Sequence, residues 1–426
     1  MMTSHVFTGF GFGPIQAGLF VKEAFQSGNF GRLVVAEIDR HLVDAVTANK
    51  GSYYVNVAKA DGIDKLRVDN VTLLDPNVPG DRQILLQVLA ASTEIATCLP
   101  SVSFYDSDGG DSVASLIADG LKNSRADGTI LYAAENHNRA AEILQEAVAR
   151  RMDANVSDRA QFLNTVIGKM SRVVSDITEI REKHLTPIAP GIERAFLVEE
   201  FNRILVTRTR LCGFQPGIEV FVEKDDLLPF EEAKLYGHNA IHAVLGFIGA
   251  LKGYTRMTEV GRDPAVMQIA RAAFLHESGA ALVQKYARLG DELFTETGYE
   301  CYADDLLQRM TNPYLADTIG RVCRDVVRKL GLQERIFGTM QLALDYGVEP
   351  TNMAIGALAG IAVLLQDARQ YNVPKELHFG DWGRLDDTKI EGIVTWLWKA
   401  EESRHTKQLA KHLQAAKKTL WDLVRE

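Results

Sequence analysis

His5 to Phe20 reads HVFTGFGFGPIQAGLF, and the interpretation of this stretch decides the fold. HVFTGF (5–10) is a short apolar run of strand type. GPIQAGLFVKEAFQSG (13–28) places its apolar residues along one face of a helix. Between them lies a glycine-rich turn. A strand, a tight turn and a helix in that order open a parallel α/β sheet. Working outward, GRLVVAEID (31–39) reads as a second strand and RHLVDAVTAN (40–49) as a second helix. SYYVNVAK (52–59) and KLRVDNVTLLD (65–75) read as strands or hairpin arms. RQILLQVLAAS (82–92) leads into the strand EIATCLPSV (94–102), and SVASLIADGLKNS (112–124) into GTILYAAEN (128–136). The alternation predicts an α/β, Rossmann-type doubly wound sheet over residues 1–190.

Beyond that point the pattern changes to long segments with apolar residues at i, i+3, i+4 and i+7. AVMQIARAAFLHESGAALVQKYARL (265–289), TIGRVCRDVVRKL (318–330), TNMAIGALAGIAVLLQDAR (351–369) and the tail TKQLAKHLQAAKKTLWDLVRE (406–426) carry it most clearly. Residues 191–426 are therefore predicted to form a mainly α-helical domain. The proline-containing stretch KHLTPIAPGIERAF (183–196) is the expected junction. The tail helix carries acids as well as bases on its polar face, which fits a solvated surface helix.

The turn after the first strand is Gly11-Phe12-Gly13-Pro14-Ile15-Gln16, a GxGxx pattern with Gln16 at the usual third glycine. A tight turn at Gly11 and a bare backbone at Gly13 would let a pyrophosphate approach the N–H groups of a helix N-terminus. Gly18, one turn on, restores some closeness of packing. Glu37, near the end of the second strand, stands at the spacing where an acid takes the adenine ribose hydroxyls. Gly11, Gly13, Ile15, Gln16 and Glu37 are thus candidate dinucleotide-binding residues, the alternative being a glycine turn without a ligand. A carboxylate at 37 would repel a 2′-phosphate, which favours NAD over NADP, with Arg40 nearby acting the other way.

The composition is that of an ordinary soluble chain: 426 residues, 46% hydrophobic, 24% charged, net charge −9. No basic cluster tracks a phosphate backbone, so a nucleic-acid partner is not expected. Cys98, Cys212, Cys301 and Cys323 stand far apart with no CxxC spacing and read as small buried hydrophobes in a reducing compartment. The N-terminus has no basic segment ahead of an apolar run, and the apolar stretch MAIGALAGIAVLL (353–365) is too short to span a bilayer. The chain is expected in the cytoplasm, without membrane association, as a monomer or homodimer.

EEAKLYGHNAIHAVLGFIGALKGY (231–254) turns from charged to almost wholly apolar, yet keeps Lys234, His238, Asn239 and His242. On an α-helix Lys234, Asn239 and His242 fall within a wedge of roughly 140°. Three readings stand. Lys234 snorkels at a helix start while His242 makes a satisfied core hydrogen bond. His238 and His242, at i and i+4, hold a metal, for which no third-ligand motif is found. Or the group is catalytic: a lysine shielded from water serves as base, and carboxamides hold an oxygen as negative charge develops. Asn136, at the carboxyl end of GTILYAAEN, is a second such carboxamide, expected to converge with the others on one oxygen.

At these residues the chain resembles the polyol-specific long-chain dehydrogenases, the mannitol dehydrogenase family. KLYGHNAIHAVLGFIG is similar to that family's Lys-x4-Asn-x2-His helix. In the right order, GFGPIQAGLF resembles its cofactor turn and AEIDRHLVDAVTANKGSYYVNV the segment that follows. AAENHNRAA resembles its Glu/Asp-Asn loop, FLNTVIGKMSRV its Asn-Thr-x-x-Asp-Arg strand, and TNPYLADTIGRVCRDVVRKL a segment of its helical domain. The likeness runs from about residue 5 to 365. It implies a Rossmann-type domain followed by a helical one, NAD as cofactor, and hydride transfer without a metal. It implies Lys234 as general base, Asn136 and Asn239 as the oxyanion pocket, and His242 bonded to the substrate hydroxyl or orienting the lysine. Arg328 and Lys329 fall where a cation anchors the far end of the substrate; a solvated helix end is the plain alternative.

Gly168 and Lys169 replace the family's usual Asp-Arg, so a substrate-binding carboxylate is missing. The loop ENHNRAA and the segment NPYLADTIGRV lean toward the mannitol-1-phosphate branch. The expected activity is an NAD-dependent interconversion of a small-molecule polyol, or polyol phosphate, and its ketose. A sugar-acid dehydrogenase and a non-catalytic dinucleotide sensor are the alternatives.

Overall fold

HVFTGF forms the central strand of the first half. In the computed structural model, which describes residues 5–106, 112–152, 160–378, 386–399 and 403–425, it is β1 (His5–Phe10). Around it stand β2 (Phe30–Ala36), β5 (Val71–Leu74), β6 (Glu94–Thr97), β7 (Thr129–Ala133), β8 (Ala160–Val166), β11 (Leu205–Thr207) and β12 (Val222–Lys224). The order is β12-β11-β8-β7-β6-β1-β2-β5, parallel except where β11 meets β8. Strands run outward from β1 first on one side, through β2 and β5, and then on the other, through β6, β7 and β8. That reversal is the topological switch point at which open α/β sheets bind ligands, and the glycine turn follows β1 directly. Phe7, Val34, Val35, Ile95, Ala96 and Leu131 are wholly or almost wholly buried, as strands covered on both faces must be.

A second sheet, ordered β4-β3-β10-β9, is built from β3 (Tyr53–Ala58), β4 (Ile63–Val68), β9 (Ser171–Val174) and β10 (Ala195–Glu199). KLRVDNVTLLD is thus two strands in different sheets, parted at Asn70, whose φ is +60°. Residues 195–224 are not helical: they supply β10, β11 and β12. The two compact units are 1–228 and 229–426, so the split lies beyond the proline stretch 183–196, which joins two strands of one unit. AFLVE is buried at every position, so it shows no alternation to mark it as a strand.

The second unit is helical. Ala240–Leu251, the apolar continuation of the lysine segment, packs on Thr351–Gln366. Glycines make the approach close: a Cβ at Gly360 would stand 2.8 Å from the Phe247 ring. Glu277 caps the N-terminus of Thr351–Gln366, accepting from Asn352 N at 2.6 Å and Met353 N at 2.8 Å. TIGRVCRDVVRKL is two short helices, Ile319–Val322 and Val326–Lys329, broken at Asp325, whose φ is +58°. The tail helix Thr406–Arg425 buries Leu409, Leu413, Leu420 and Leu423 and leaves its charged side outward. Among the described residues no helix is long and apolar enough to cross a membrane.

One buried acid makes the first unit sensitive to pH. Glu94 at the start of β6 is fully buried and accepts from Tyr132 Oη at 3.0 Å and from the Gly217 amide. Burial pushes its carboxyl from 4.5 up to about 7. The stability it contributes is complete below about pH 4.5 and is lost as pH rises through about 7. Glu94→Gln should therefore gain on the native protein between pH 5 and 8, by up to about 3 kcal/mol. Urea unfolding at both pH values checks this; a constant difference would show that Glu94 does not titrate there.

Candidate functional site

The glycine turn is built as its residue types require. Gly11 has φ +80°, and a Cβ there would stand 3.0 Å from the Cys98 carbonyl. At Gly13 a Cβ would meet nothing within 4 Å, so the backbone is bare on that side. Ile15 leads into a π-helical turn, Gln16–Val21, continued by the α-helix Lys22–Ser27. Gln16 is fully buried, its amide occupying the place a Gly9 side chain would take. Neither amide atom meets a partner among the described residues. Its side chain is thus a packing element between helix and strand. Gly18 packs against Val198 of β10, so the closeness it permits is to the second sheet.

Glu37 follows β2 and is fixed by backbone donors. It accepts from Phe12 N at 2.6 Å, and from Ile38 N and Asp39 N at 2.8 Å each. The first of these ties the acid to the glycine turn. Arg40 is engaged elsewhere, 2.7 Å from Asp44 and 3.4 Å from Asp81. At the carboxyl end of β7, buried Glu135 accepts from Thr97 Oγ1 at 2.9 Å and Leu99 N at 2.8 Å, and from Tyr105 Oη. It ties the ends of β6 and β7 together and sets the position of Asn136, which is exposed. Lys169, in the place of the family's arginine, is buried with its ammonium on the carbonyls of Glu199 and Phe201.

In the second unit Lys234, His238 and Asn239 lie on a π-helical turn, Ala233–Asn239, and His242 on the α-helix that continues it. The wider i→i+5 winding brings Asn239 nearer the side of Lys234 than an α-helix would, and His242 follows three residues later. The packing explains the wide turn. A Cβ at Gly237 would stand 2.8 Å from both the Phe274 ring and Tyr299 Oη. The Tyr236 carbonyl accepts from Thr339 Oγ1 at 3.1 Å, outside its own helix. Glu232, just before the turn, is held by Lys285 at 2.6 Å and Tyr286 Oη at 2.7 Å.

The electrostatics are lopsided. Burial, and then the Arg335 guanidinium, bring the Lys234 ammonium down to about 8. The same two causes, in the same order, bring Lys329 down to about 8. Arg335 is itself buried, with Glu334 3.3 Å away. Arg328 instead faces outward, paired with Glu334 at 3.0 Å and Asp325 at 3.7 Å. Of the two expected anchors, then, Lys329 stands in the buried cationic group and Arg328 does not. Burial, followed by His242, holds His238 well below its ordinary value. His242 Nε2 lies 3.4 Å from Asp317 Oδ2. The two imidazoles stand 6.3 Å apart, and among the described residues no group of three His, Cys, Asp or Glu is placed to hold a metal. Sequence reasoning missed Arg335 and Asp317, which stand outside the Lys-x4-Asn-x2-His spacing; the density of charge in DTIGRVCRDVVRKLGLQER was the available signal.

Residues 226–375 match the model of the mannitol dehydrogenase C-terminal domain. Along the whole chain the fold is similar to that of mannitol 2-dehydrogenase from Pseudomonas fluorescens, solved as a ternary complex with NAD and D-mannitol. The TM-score is 0.68 at 16% identity, covering 100% of this chain and 94% of that one. A D-sorbitol dehydrogenase in substrate-free form is similar with a TM-score of 0.76 at 15% identity, covering 98% and 94%. The two likenesses define the fold class, a Rossmann-type domain followed by a mainly helical one. In its second half the chain is similar to the C-terminal domain of mannitol dehydrogenases.

The π-helical turn depends on a missing side chain. Gly237→Val should lower the unfolding free energy by about 1–3 kcal/mol, because Phe274 and Tyr299 are buried and must move. Denaturant unfolding measures this; native-like stability would show that the turn does not rest on that contact.

Proposed function

We propose that this protein is an NAD-dependent dehydrogenase interconverting the secondary alcohol of a sugar alcohol, or sugar alcohol phosphate, and the corresponding ketose. The observation that carries the proposal is Lys234: a shielded lysine, titrating near 8, on the face that also presents Asn239 and His242. The residues of the first unit fit a dinucleotide. Gly13 leaves its backbone bare, Gly11 holds the turn with a positive φ, and Glu37 is fixed at the turn with a carboxylate for ribose hydroxyls. With Arg40 engaged by Asp44 and Asp81, nothing in that segment is set aside for a 2′-phosphate, which supports NAD over NADP.

The dinucleotide, when bound, supplies the hydride acceptor. The rest falls to this chain. Lys234 in its neutral form takes the hydroxyl proton as the C–H hydride departs and the carbonyl forms; in the reverse direction the ammonium returns it. Asn239 donates an amide hydrogen to the oxygen as it gains negative charge, and a carboxamide cannot itself lose a proton. His242 bonds the same hydroxyl or orients the lysine. Arg335 is a cation beside Lys234, and Lys329 stands beside Arg335; together they favour a substrate with an anionic or hydroxyl-rich far end. That placement supports the polyol phosphate reading, and equally a sugar acid.

A panel of free and phosphorylated hexitols and sugar acids, followed by NADH absorbance, tests the proposal; no turnover on any of them would overturn it. Lys234→Ala should lower kcat by about 10²–10⁴-fold, with NADH affinity retained. For alcohol oxidation, kcat/KM should rise with pH and level off above about 8, because the neutral amine is the active form. A profile flat from pH 6 to 9 would remove Lys234 as the base. Glu37→Ser should narrow the preference for NAD over NADP, read as the ratio of kcat/KM values.

A further inference from the structure

Asp317 belongs to none of the residue groups that point to the reaction, yet it is the carboxylate that meets His242. It precedes the short helix Ile319–Val322, and its side chain is 1% exposed. Its backbone is held on both sides: its carbonyl accepts from Met257 N at 3.0 Å, and the next peptide but one is bonded through Ile319 N to Thr255 O at 3.0 Å. Its Oδ1 accepts from Thr318 N at 2.8 Å and from Arg321 Nε, while the other arm of the Arg321 guanidinium reaches Oδ2. This is a two-pronged grip that fixes the plane of the carboxylate. Burial raises an acid, but here His242 and Arg321 outweigh it and hold Asp317 well below the usual carboxylate range. It is therefore an anion.

His242 Nε2 is buried, and among the described residues the charged group it meets within ion-pair range is Asp317 Oδ2, at 3.4 Å. That is long for a hydrogen bond, and contacts of this kind tighten in reacting complexes. His238 stands one turn back, with Lys234, Arg309 and Arg335 acting on it, and Arg321 lies behind the carboxylate. A carboxylate facing one ring nitrogen settles which nitrogen carries the proton.

We propose that Asp317 is the positioning residue for His242, holding the imidazole with Nε2–H turned toward its carboxylate and Nδ1 left as the lone-pair nitrogen. The inference rests on the reading of His242 as a residue of the reaction.

Two measurements test it. The first is the ¹⁵N spectrum of histidine-labelled protein with NADH bound, recorded at alkaline pH and assigned with His242→Gln. It should show His242 as the Nε2–H tautomer, shifting toward Nδ1–H or a mixture in Asp317→Asn. The Nδ1–H form in the unmodified protein would overturn the proposal, even if Asp317→Asn failed to fold. The second is a double-mutant cycle of Asp317→Asn and His242→Gln, using the most active hexitol or hexitol phosphate of the panel. Asp317→Asn should lower kcat by about 10–100-fold with little change in KM, and should add almost nothing in the His242→Gln background. An equal loss in both backgrounds would mean that Asp317 acts through the fold and not through His242. Should the panel give no turnover, the functional reading fails while the tautomer measurement still decides the role of Asp317.

Discussion

An ammonium group shielded from water beside a guanidinium is unfavourable twice over, through lost hydration and through repulsion of like charge. Lys234 endures both, and Lys329 endures the same pair with the same Arg335. Nothing in folding asks for this arrangement. It survives because Ala240–Leu251 is buried along nearly its whole length against Thr351–Gln366. Such a concentration of perturbed groups fits the proposed site, where a proton leaves or arrives near neutral pH. The π-helical winding belongs to the same compromise, since it gives up regular α-helical pairing and brings Asn239 nearer the side of Lys234.

A recurrent device supports both units: a buried carboxylate that gathers backbone or side-chain donors from segments distant in sequence. Glu135 ties the ends of β6 and β7, Glu277 closes the start of Thr351–Gln366, and Glu94 anchors the loop at Gly217. Glu37 joins β2 to the glycine turn in the same way. Each can accept several hydrogen bonds at once, so one side chain fixes two pieces of backbone. The cost is desolvation, visible as raised carboxyls at Glu94, Glu135 and Glu277. Asp317 differs, because His242 and Arg321 face it and keep it ionised.

Much of this was legible in the sequence where the signal is local. The strand, glycine turn and helix of residues 5–27 follow from glycine chemistry and apolar periodicity, and Lys234, Asn239 and His242 stand out because polar groups in an apolar helix need a reason. What escaped is non-local or short. β10 to β12 are three to five residues each, and the one buried throughout shows no alternation. The break at Asp325 lies inside a helical pattern that periodicity alone continues. The π-helical turn leaves no trace in a pattern read at the α-helical period, because Gly237 acts through Phe274 and Tyr299, well over thirty residues away. Arg335 and Asp317 acquire meaning from what they face.

The account therefore rests on one nitrogen, and its titration can be observed directly. The native protein, with lysines labelled at ¹³Cε and NADH bound, would be followed by NMR across the alkaline range, with the Lys234 signal assigned by its absence in Lys234→Met. The account predicts a midpoint near 8. A midpoint at the ordinary lysine value of about 10.4 would contradict it.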